Sequence, residues 1–103
     1  MDRLNLEQKQ RETARWRILR VLDAGRPMPV SEAIIWRVVT ESETQLSPNA
    51  VRRELSYLRD LALLEIEHED TDTWSAKLTA RGVDVVEYTI PAPAGIARPR
   101  KNW

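Results

Sequence analysis

The chain has 103 residues, of which 42% are hydrophobic and 31% charged, and it contains no cysteine. This length accommodates one domain with one hydrophobic core, and the lack of cysteine excludes disulfides and thiolate metal sites. No apolar stretch approaches the roughly 20 residues that span a bilayer, and the N-terminus lacks the pattern of a secretory signal. The sequence therefore predicts a cytoplasmic protein that does not contact a membrane.

Sixteen basic and sixteen acidic residues give a net charge of zero, but the two signs are segregated along the chain. Residues 1–25 hold six basic and four acidic side chains, whereas residues 65–90 hold two basic and seven acidic ones. The last thirteen residues carry basic charges only. A protein that binds the phosphate backbone usually has a basic excess, so some parts of this chain would attract nucleic acid and residues 65–90 would repel it.

Apolar spacing predicts two helices in the first part of the chain. Apolar residues three and four apart indicate a helix over residues 6–24, with Gly25 as a left-handed residue past its end. Ser31 is a suitable N-cap for a second helix over residues 32–40. The predicted apolar face of this second helix consists of Ile34, Ile35, Val38 and Val39.

A third helix begins with the clearest local signal in the sequence. After a polar turn over residues 41–45, Ser47 and Pro48 combine an N-cap with a proline at the first helical position. The helix is expected over residues 48–62. Its predicted core-facing residues, which lie within a narrow arc, are Val51, Leu55, Leu58 and Ala62.

The hydrophobic period then changes to that of β-structure. Residues 64–68 and 74–78 alternate between apolar and polar, and the acidic segment 69–73 between them is rich in turn formers, so a β-hairpin is expected. Thr79 is the predicted cap of a last helix over residues 80–88. Three prolines and Gly95 predict an extended tail over residues 91–103 that does not pack.

The expected architecture is a winged-helix domain over residues 1–90 followed by that tail. The fold class is α+β, mainly α with a small β-hairpin, and the predicted order α-α-α-β-β-α is the connectivity of a winged helix-turn-helix. The alternative is an unrelated three-helix bundle that carries a β-hairpin.

Two sequence motifs resemble those of winged-helix regulators. Residues 51–58 (VRRELSYL) and 61–64 (LALL) resemble the recognition helix and the start of the first wing strand, with Ala62 where glycine is common. Residues 78–82 (LTARG) match the step from the wing to the last helix. The resemblance is to the multiple-antibiotic-resistance, PadR-like and ArsR-like repressors. It implies transcription regulation, binding of double-stranded DNA and pairing as a homodimer.

A narrower resemblance comes from the short length, the four tryptophans and the ending GIARPR at residues 95–100. These features are similar to a small family of proteins from Mu-like phages and prophages. The resemblance implies a phage-encoded protein in the cytoplasm of a bacterial host.

The third helix holds the main candidate binding residues. Arginine can donate two hydrogen bonds to guanine and asparagine can pair with adenine, and the N-terminal half of a recognition helix inserts into the major groove. The predicted DNA-binding residues are Ser47, Asn49, Arg52, Arg53, Ser56 and Tyr57. Arg11 and Arg15, one turn apart on the first helix, are possible phosphate contacts. In both cases the alternative is an ordinary solvated helix face with surface ion pairs.

The predicted wing argues against the simplest form of DNA binding. Five carboxylates lie within eight residues, at Glu65, Glu67, Glu69, Asp70 and Asp72. They would be repelled by phosphate, so the wing either points away from DNA or contacts a basic phage or host protein. The alternative function is therefore a protein-interaction module in phage assembly or packaging that does not bind DNA directly. The alternative without a function is an ordinary solvated acidic hairpin tip.

Catalysis has little support in the sequence. The one histidine, His68, lies among carboxylates without a nucleophile beside it, and there is no glycine-rich phosphate loop or histidine pair. No enzymatic activity, cofactor or metal site is predicted. Trp16, Trp36 and Trp74 are expected to anchor the core, whereas the terminal Trp103 is expected either to be disordered or to insert into a partner. The first helix together with Val83, Val85 and Val86 is the predicted dimer surface.

Overall fold

A computed structural model describes residues 3–41 and 45–101. Over these ranges the chain forms four helices and one three-stranded antiparallel sheet, which confirms the α+β class. The elements in chain order are α1 (Arg3–Gly25), β1 (Val30–Ser31), α2 (Glu32–Glu41), α3 (Pro48–Asp60), β2 (Leu64–Glu67), β3 (Ser75–Leu78) and α4 (Ala80–Val86). Part of the predicted turn, residues 42–44, lies outside the described residues, as do Asn102 and Trp103.

Local capping signals place the starts of three helices. The Ser47 hydroxyl accepts a hydrogen bond from the Ala50 amide at 3.1 Å, and Pro48 opens α3. The Thr79 hydroxyl accepts from the Gly82 amide in the same way at α4, and the Ser31 hydroxyl accepts from the Ile34 amide at α2. These contacts satisfy backbone donors that have no partner within the helix, so all three predicted N-caps are confirmed.

The C-terminal end of α3 differs from the prediction. The helix ends at Asp60, and Ala62 lies beyond it with a φ of 63°. The Ala62 amide donates to the Arg59 carbonyl and the Leu63 amide donates to the Leu58 carbonyl. This pair of bonds is a Schellman motif with alanine in the left-handed position that glycine usually takes. Ala62 is therefore exposed, and its predicted place in the core is wrong.

The sheet has the strand order β1-β3-β2. Val30 pairs with Ala76 on one edge of β3, and Leu64 pairs with Leu78 on the other. The predicted hairpin is confirmed as β2 and β3, but strand β1 was missed, so the order is α-β-α-α-β-β-α. Two residues after a proline are too few to show the alternation that marks a strand.

The core lies between the helices and one face of the sheet. Its fully buried larger side chains are Ile18, Leu19, Leu22, Ile35, Val39, Val51, Leu55, Leu58, Leu63, Leu64 and Val85. Trp16 is buried with them, whereas Trp36 and Trp74 are partly buried at the edge of the core. On α2 only half of the predicted apolar face points inward, because Ile34 and Val38 are 46% and 44% exposed.

Gly25 and Gly95 differ in backbone conformation. Gly25 is the last residue of α1, and the glycine with a left-handed backbone is Gly95, at a φ of 91°. The prediction for Gly25 is therefore wrong. Helix α1 includes the residue expected to end it.

Residues 91–101, hereafter the C-terminal strap, contain neither helix nor strand but pack on the domain. Ile96 is buried in the core, and the Ala97 amide donates to the Glu12 carbonyl at 3.1 Å. Arg98 donates to the carbonyls of Val85 and Ile90 at 2.9 and 2.8 Å. The prediction that this tail does not pack is wrong. Proline and glycine content indicates the absence of regular structure, but it does not indicate whether a segment finds tertiary partners.

Candidate nucleic-acid interface

Helix α3 presents the polar face that its periodicity predicts. Asn49, Arg53 and Asp60 are exposed, and Ser56 is partly exposed between them. Ser47 is also exposed, but its hydroxyl already accepts the capping hydrogen bond from Ala50. The side chains that α3 offers to a partner in solution are therefore those of Asn49, Arg53 and Ser56, with the Asp60 carboxylate at the C-terminal end of the helix, 3.8 Å from Arg59 Nε.

A groove of about 300 Å³ lies between α1 and the N-terminal end of α3. Gln10 and Arg11 line it from α1, and Ser47 and Arg53 line it from the α3 side. Within the described part of the chain, neither the Arg11 nor the Arg53 guanidinium has a hydrogen bond or an ion pair. Glu7 from α1 and Glu54 from α3 also line this groove, and Glu54 is paired with Arg15. Arg11 and Arg53 are thus two cations from different helices at one groove of mixed charge.

Arg15 lies one turn along α1 from Arg11 but has a different environment. Its Nε donates to Oε1 of Glu54 at 2.7 Å, and its Nη1 donates to the Gly95 carbonyl at 3.0 Å. Its guanidinium lies 3.6 Å from the centroid of the Tyr57 ring. The charge of Arg15 is therefore satisfied inside the protein, between α1, α3 and the strap.

Tyr57 faces the strap rather than the open face of α3. Its hydroxyl donates to the Ala94 carbonyl at 3.4 Å. A Cβ on Gly95 would clash with the Tyr57 Oη, and L side chains rarely adopt its φ of 91°, so glycine suits this close approach. The strap therefore borders the exposed face of α3 on the side of Tyr57.

Arg52 connects three elements on the opposite flank of α3. Its Nε and Nη2 donate to the two carboxylate oxygens of Glu32 at 2.6 and 2.7 Å, and Nη2 also donates to the Asp72 carbonyl at 2.7 Å. Its guanidinium lies 4.5 Å from the centroid of the Trp74 ring. Arg52 thereby joins α3 to the start of α2 and to the β2–β3 hairpin.

The Glu32 carboxylate responds to this contact. Its pKa lies below the usual value for glutamate, first because Arg52 donates hydrogen bonds to the charged form, and further because of the attraction of the Arg52 charge and a backbone hydrogen bond at Trp74. Partial burial opposes the shift. Sequence reasoning missed this contact because Glu32 is 20 residues from Arg52, and no local pattern marks the pair.

The acidic hairpin is partly neutralised by its own chain. Arg59 Nη1 donates to both carboxylate oxygens of Glu69 at 2.7 Å, and Lys77 Nζ lies 4.0 and 3.7 Å from carboxylate oxygens of Glu65 and Glu67. Asp70 and Asp72 remain at the tip, where both are exposed. Among the described residues, no group of three or more histidine, aspartate or glutamate side chains is placed to hold a metal ion.

The part of the predicted dimer surface that lies on α4 is largely internal. Val85 and Val86 are buried in the core of the chain itself, and Val83 is partly buried. Of these three residues, only Val83 leaves appreciable surface for a partner. No helix in the described ranges is long and apolar enough to cross a membrane.

Comparisons of the chain with family models, with curated proteins and with solved structures gave no match. The geometry around α3 is therefore the main basis for a functional proposal. In that geometry, the exposed face of α3 lies between the hairpin, held by Arg52, and the strap, held by Arg15 and Tyr57.

Proposed function

We propose that the chain is a winged helix-turn-helix protein that binds duplex DNA through the exposed face of α3. The order α-β-α-α-β-β-α and the β2–β3 hairpin beside α3 support this fold. In the proposal α2 and α3 form the helix-turn-helix, α3 is the recognition helix and the hairpin is the wing.

The observation that carries the proposal is the placement of Arg53 and Arg11 on one groove at the N-terminal end of α3. Cations without an internal partner are free to bind phosphate or to donate two hydrogen bonds to guanine. Asn49, exposed one turn before Arg53, has the donor and acceptor that adenine requires. The proposed contacts are therefore Asn49, Arg53 and Ser56 in the major groove, with Arg11 on the phosphate backbone.

Arg15, Arg52 and Tyr57 have a supporting role in this proposal. Each is engaged within the protein, so its contribution to DNA binding is to hold α1, the hairpin and the strap around α3. Ser47 contributes mainly as the cap of α3.

The net charge of zero limits the strength of the proposed binding. Because few cations are available to displace counterions, affinity for random DNA should be modest and should fall with salt. The ion pairs of Glu65, Glu67 and Glu69 reduce the repulsion from the hairpin, and the exposed Asp70 and Asp72 should point away from phosphate.

We extend the proposal to transcription regulation on a phage or prophage genome in the bacterial cytoplasm. The support for this extension is the sequence resemblance to winged-helix regulators and to proteins of Mu-like phages. A homodimer would allow two copies of α3 to contact successive major-groove faces.

The proposal is tested by fluorescence anisotropy with labelled random-sequence duplex DNA across a salt series. The proteins compared are the wild type, Arg53→Ala, Arg11→Ala and the control Arg81→Ala, which removes an exposed charge from α4. We expect Arg53→Ala and Arg11→Ala to weaken binding and each to reduce the salt slope by about 1. The control should bind as the wild type does.

Absence of binding at low salt, or equal effects of all three substitutions, would contradict DNA binding by α3. In that case the second candidate is a protein-interaction module that uses the acidic hairpin. The observation that favours it is the exposure of Asp70 and Asp72 at the hairpin tip.

A further inference from the structure

A second groove, of about 540 Å³, lies between the end of α4 and the C-terminal strap. Tyr88 and the strap prolines Pro91 and Pro99 form apolar parts of its wall. Its charged lining residues are Arg98, Arg100 and Lys101, and no described carboxylate lines it. The groove therefore combines apolar walls with charge of one sign.

The cations of this groove have different structural roles. Arg98 donates to the carbonyls of Val85 and Ile90, and its guanidinium lies 4.3 Å from the centroid of the Tyr88 ring. The Tyr88 hydroxyl donates to the Pro99 carbonyl at 2.8 Å. Arg98 and Tyr88 thus hold the shape of the groove, and the exposed Arg100 and Lys101 add positive charge at its rim.

The tip of the β2–β3 hairpin has the opposite charge and a defined shape. Asp70 and Asp72 are exposed, and neither lies within ion-pair distance of another described residue, although the charge of Asp72 is one of the causes that raise the pKa of Arg52. The Thr71 hydroxyl between them donates to the His68 carbonyl at 2.7 Å and to the Thr73 carbonyl at 3.0 Å. These bonds hold the backbone of the turn that carries both exposed carboxylates.

We propose that the groove binds the hairpin tip of a second copy of this chain. Asp70 and Asp72 of one copy pair with Arg100 and Lys101 of the next, and Tyr88 packs against the turn. The zero net charge favours such a contact, because two copies do not repel each other at long range. At short range the acidic hairpin tip of one copy attracts the basic groove rim of the other. Groove and tip share no residue, so two copies that exchange tips form a closed dimer, whereas copies that each bind a different neighbour form an open chain or a ring.

The first test is sedimentation velocity of the full chain over a range of concentrations. The measurement is made at about 50 mM and about 500 mM salt, which give weak and strong screening of charges. We expect the average mass at low salt to rise above the monomer mass with concentration. At high salt it should return toward the monomer mass.

Charge-reversal variants then identify the two surfaces. Arg100→Glu/Lys101→Glu reverses the groove rim and Asp70→Lys/Asp72→Lys reverses the tip, and each variant alone should remain monomeric at low salt. An equal mixture of the two should associate again, because each reversed surface faces a complementary one on the other variant. Lys9→Glu/Arg81→Glu changes the net charge as the rim variant does and should associate as the wild type does. Circular dichroism establishes that every variant is folded.

A wild type that stays monomeric at low salt would overturn the proposal. So would rim or tip variants that associate normally, or a mixture of the two that stays monomeric. If the rim variant loses affinity for duplex DNA while the wild type is monomeric, the groove contacts DNA instead of a second copy. None of these variants changes Arg53 or Arg11, on which the proposed function rests. Failure of the self-association proposal would therefore not contradict DNA binding by α3.

Discussion

Arg15 on α1 and Glu54 on α3 form an ion pair of 2.7 Å, with side chains that are only 13% and 5% exposed. The same guanidinium donates to the Gly95 carbonyl of the strap and stacks on Tyr57. Charged groups removed from water need such partners, because an unpaired charge in a low dielectric is costly. Among the described residues, every buried side-chain nitrogen or oxygen has a hydrogen-bond partner.

Removing one member of this buried pair should destabilise the fold strongly. Glu54→Ala leaves Arg15 without its carboxylate, and we expect the free energy of unfolding to fall by about 3 kcal/mol. Urea denaturation measures the change. The control is Arg15→Met/Glu54→Leu, which replaces both charges with apolar groups and should cost much less than the sum of Arg15→Met and Glu54→Leu. Additive effects would show that the two side chains act independently.

The contact between Glu32 and Arg52 should make stability depend on acid pH. Because Arg52 lowers the pKa of Glu32 in the folded protein, the carboxylate stabilises the fold above its unfolded pKa of about 4.3. That contribution is lost as the pH falls through the lower folded pKa. Glu32→Gln should therefore lower Tm at neutral pH, and its difference from the wild type should shrink below about pH 4.

The control for this experiment is Glu41→Gln, at the exposed end of the same helix. Its difference in Tm from the wild type should stay small across the same pH range. Thermal unfolding followed by circular dichroism measures both variants. A Glu32→Gln difference that does not change with pH would contradict the assignment.

Ala62→Gly should stabilise the protein. Ala62 has a φ of 63°, where a Cβ is unfavourable by about 1–2 kcal/mol. Glycine removes this unfavourable contribution. Part of the gain is offset by the larger entropy of glycine in the unfolded chain, so the net stabilisation should be about 0.5–1 kcal/mol. Ala80→Gly in the first turn of α4 is the matched control and should destabilise. Denaturant unfolding measures both changes in the free energy of unfolding. If the two substitutions changed it in the same direction, backbone strain at Ala62 would be excluded as the explanation.

Gly95→Ala should loosen the strap. The new Cβ would meet the Tyr57 Oη, and alanine is strained at a φ of 91°. We expect a loss of about 1–3 kcal/mol in unfolding free energy and faster amide hydrogen exchange over the strap. Ala97→Gly, at an exposed strap position, should have a smaller effect. Unchanged exchange in Gly95→Ala would show that the contact with Tyr57 does not hold the strap.

Features that depend on neighbouring residues were predictable from the sequence. The starts of α3 and α4 follow from Ser47 and Thr79, because a capping side chain bonds to an amide three residues away. The end of α3 was misplaced, because an alanine in the left-handed region has no distinctive local signal. Strand β1 was missed because its two residues are a strand only through pairing with β3.

The sequence alone determined the helices, the hairpin and the exposure of Asn49 and Arg53, since helical periodicity separates the polar face of α3 from its core-facing residues. Periodicity placed Arg53 opposite the core-facing residues and Arg52 on the flank of that face, but it did not show that Arg52 and Arg15 are engaged inside the protein while Arg53 and Arg11 are not. Tertiary structure made that distinction: Arg52 meets Glu32 from 20 residues away, and Arg15 meets Glu54 from 39 residues away. Ion pairs at such separations form only where folding brings two elements together, so only the folded chain decides which cations remain for a partner.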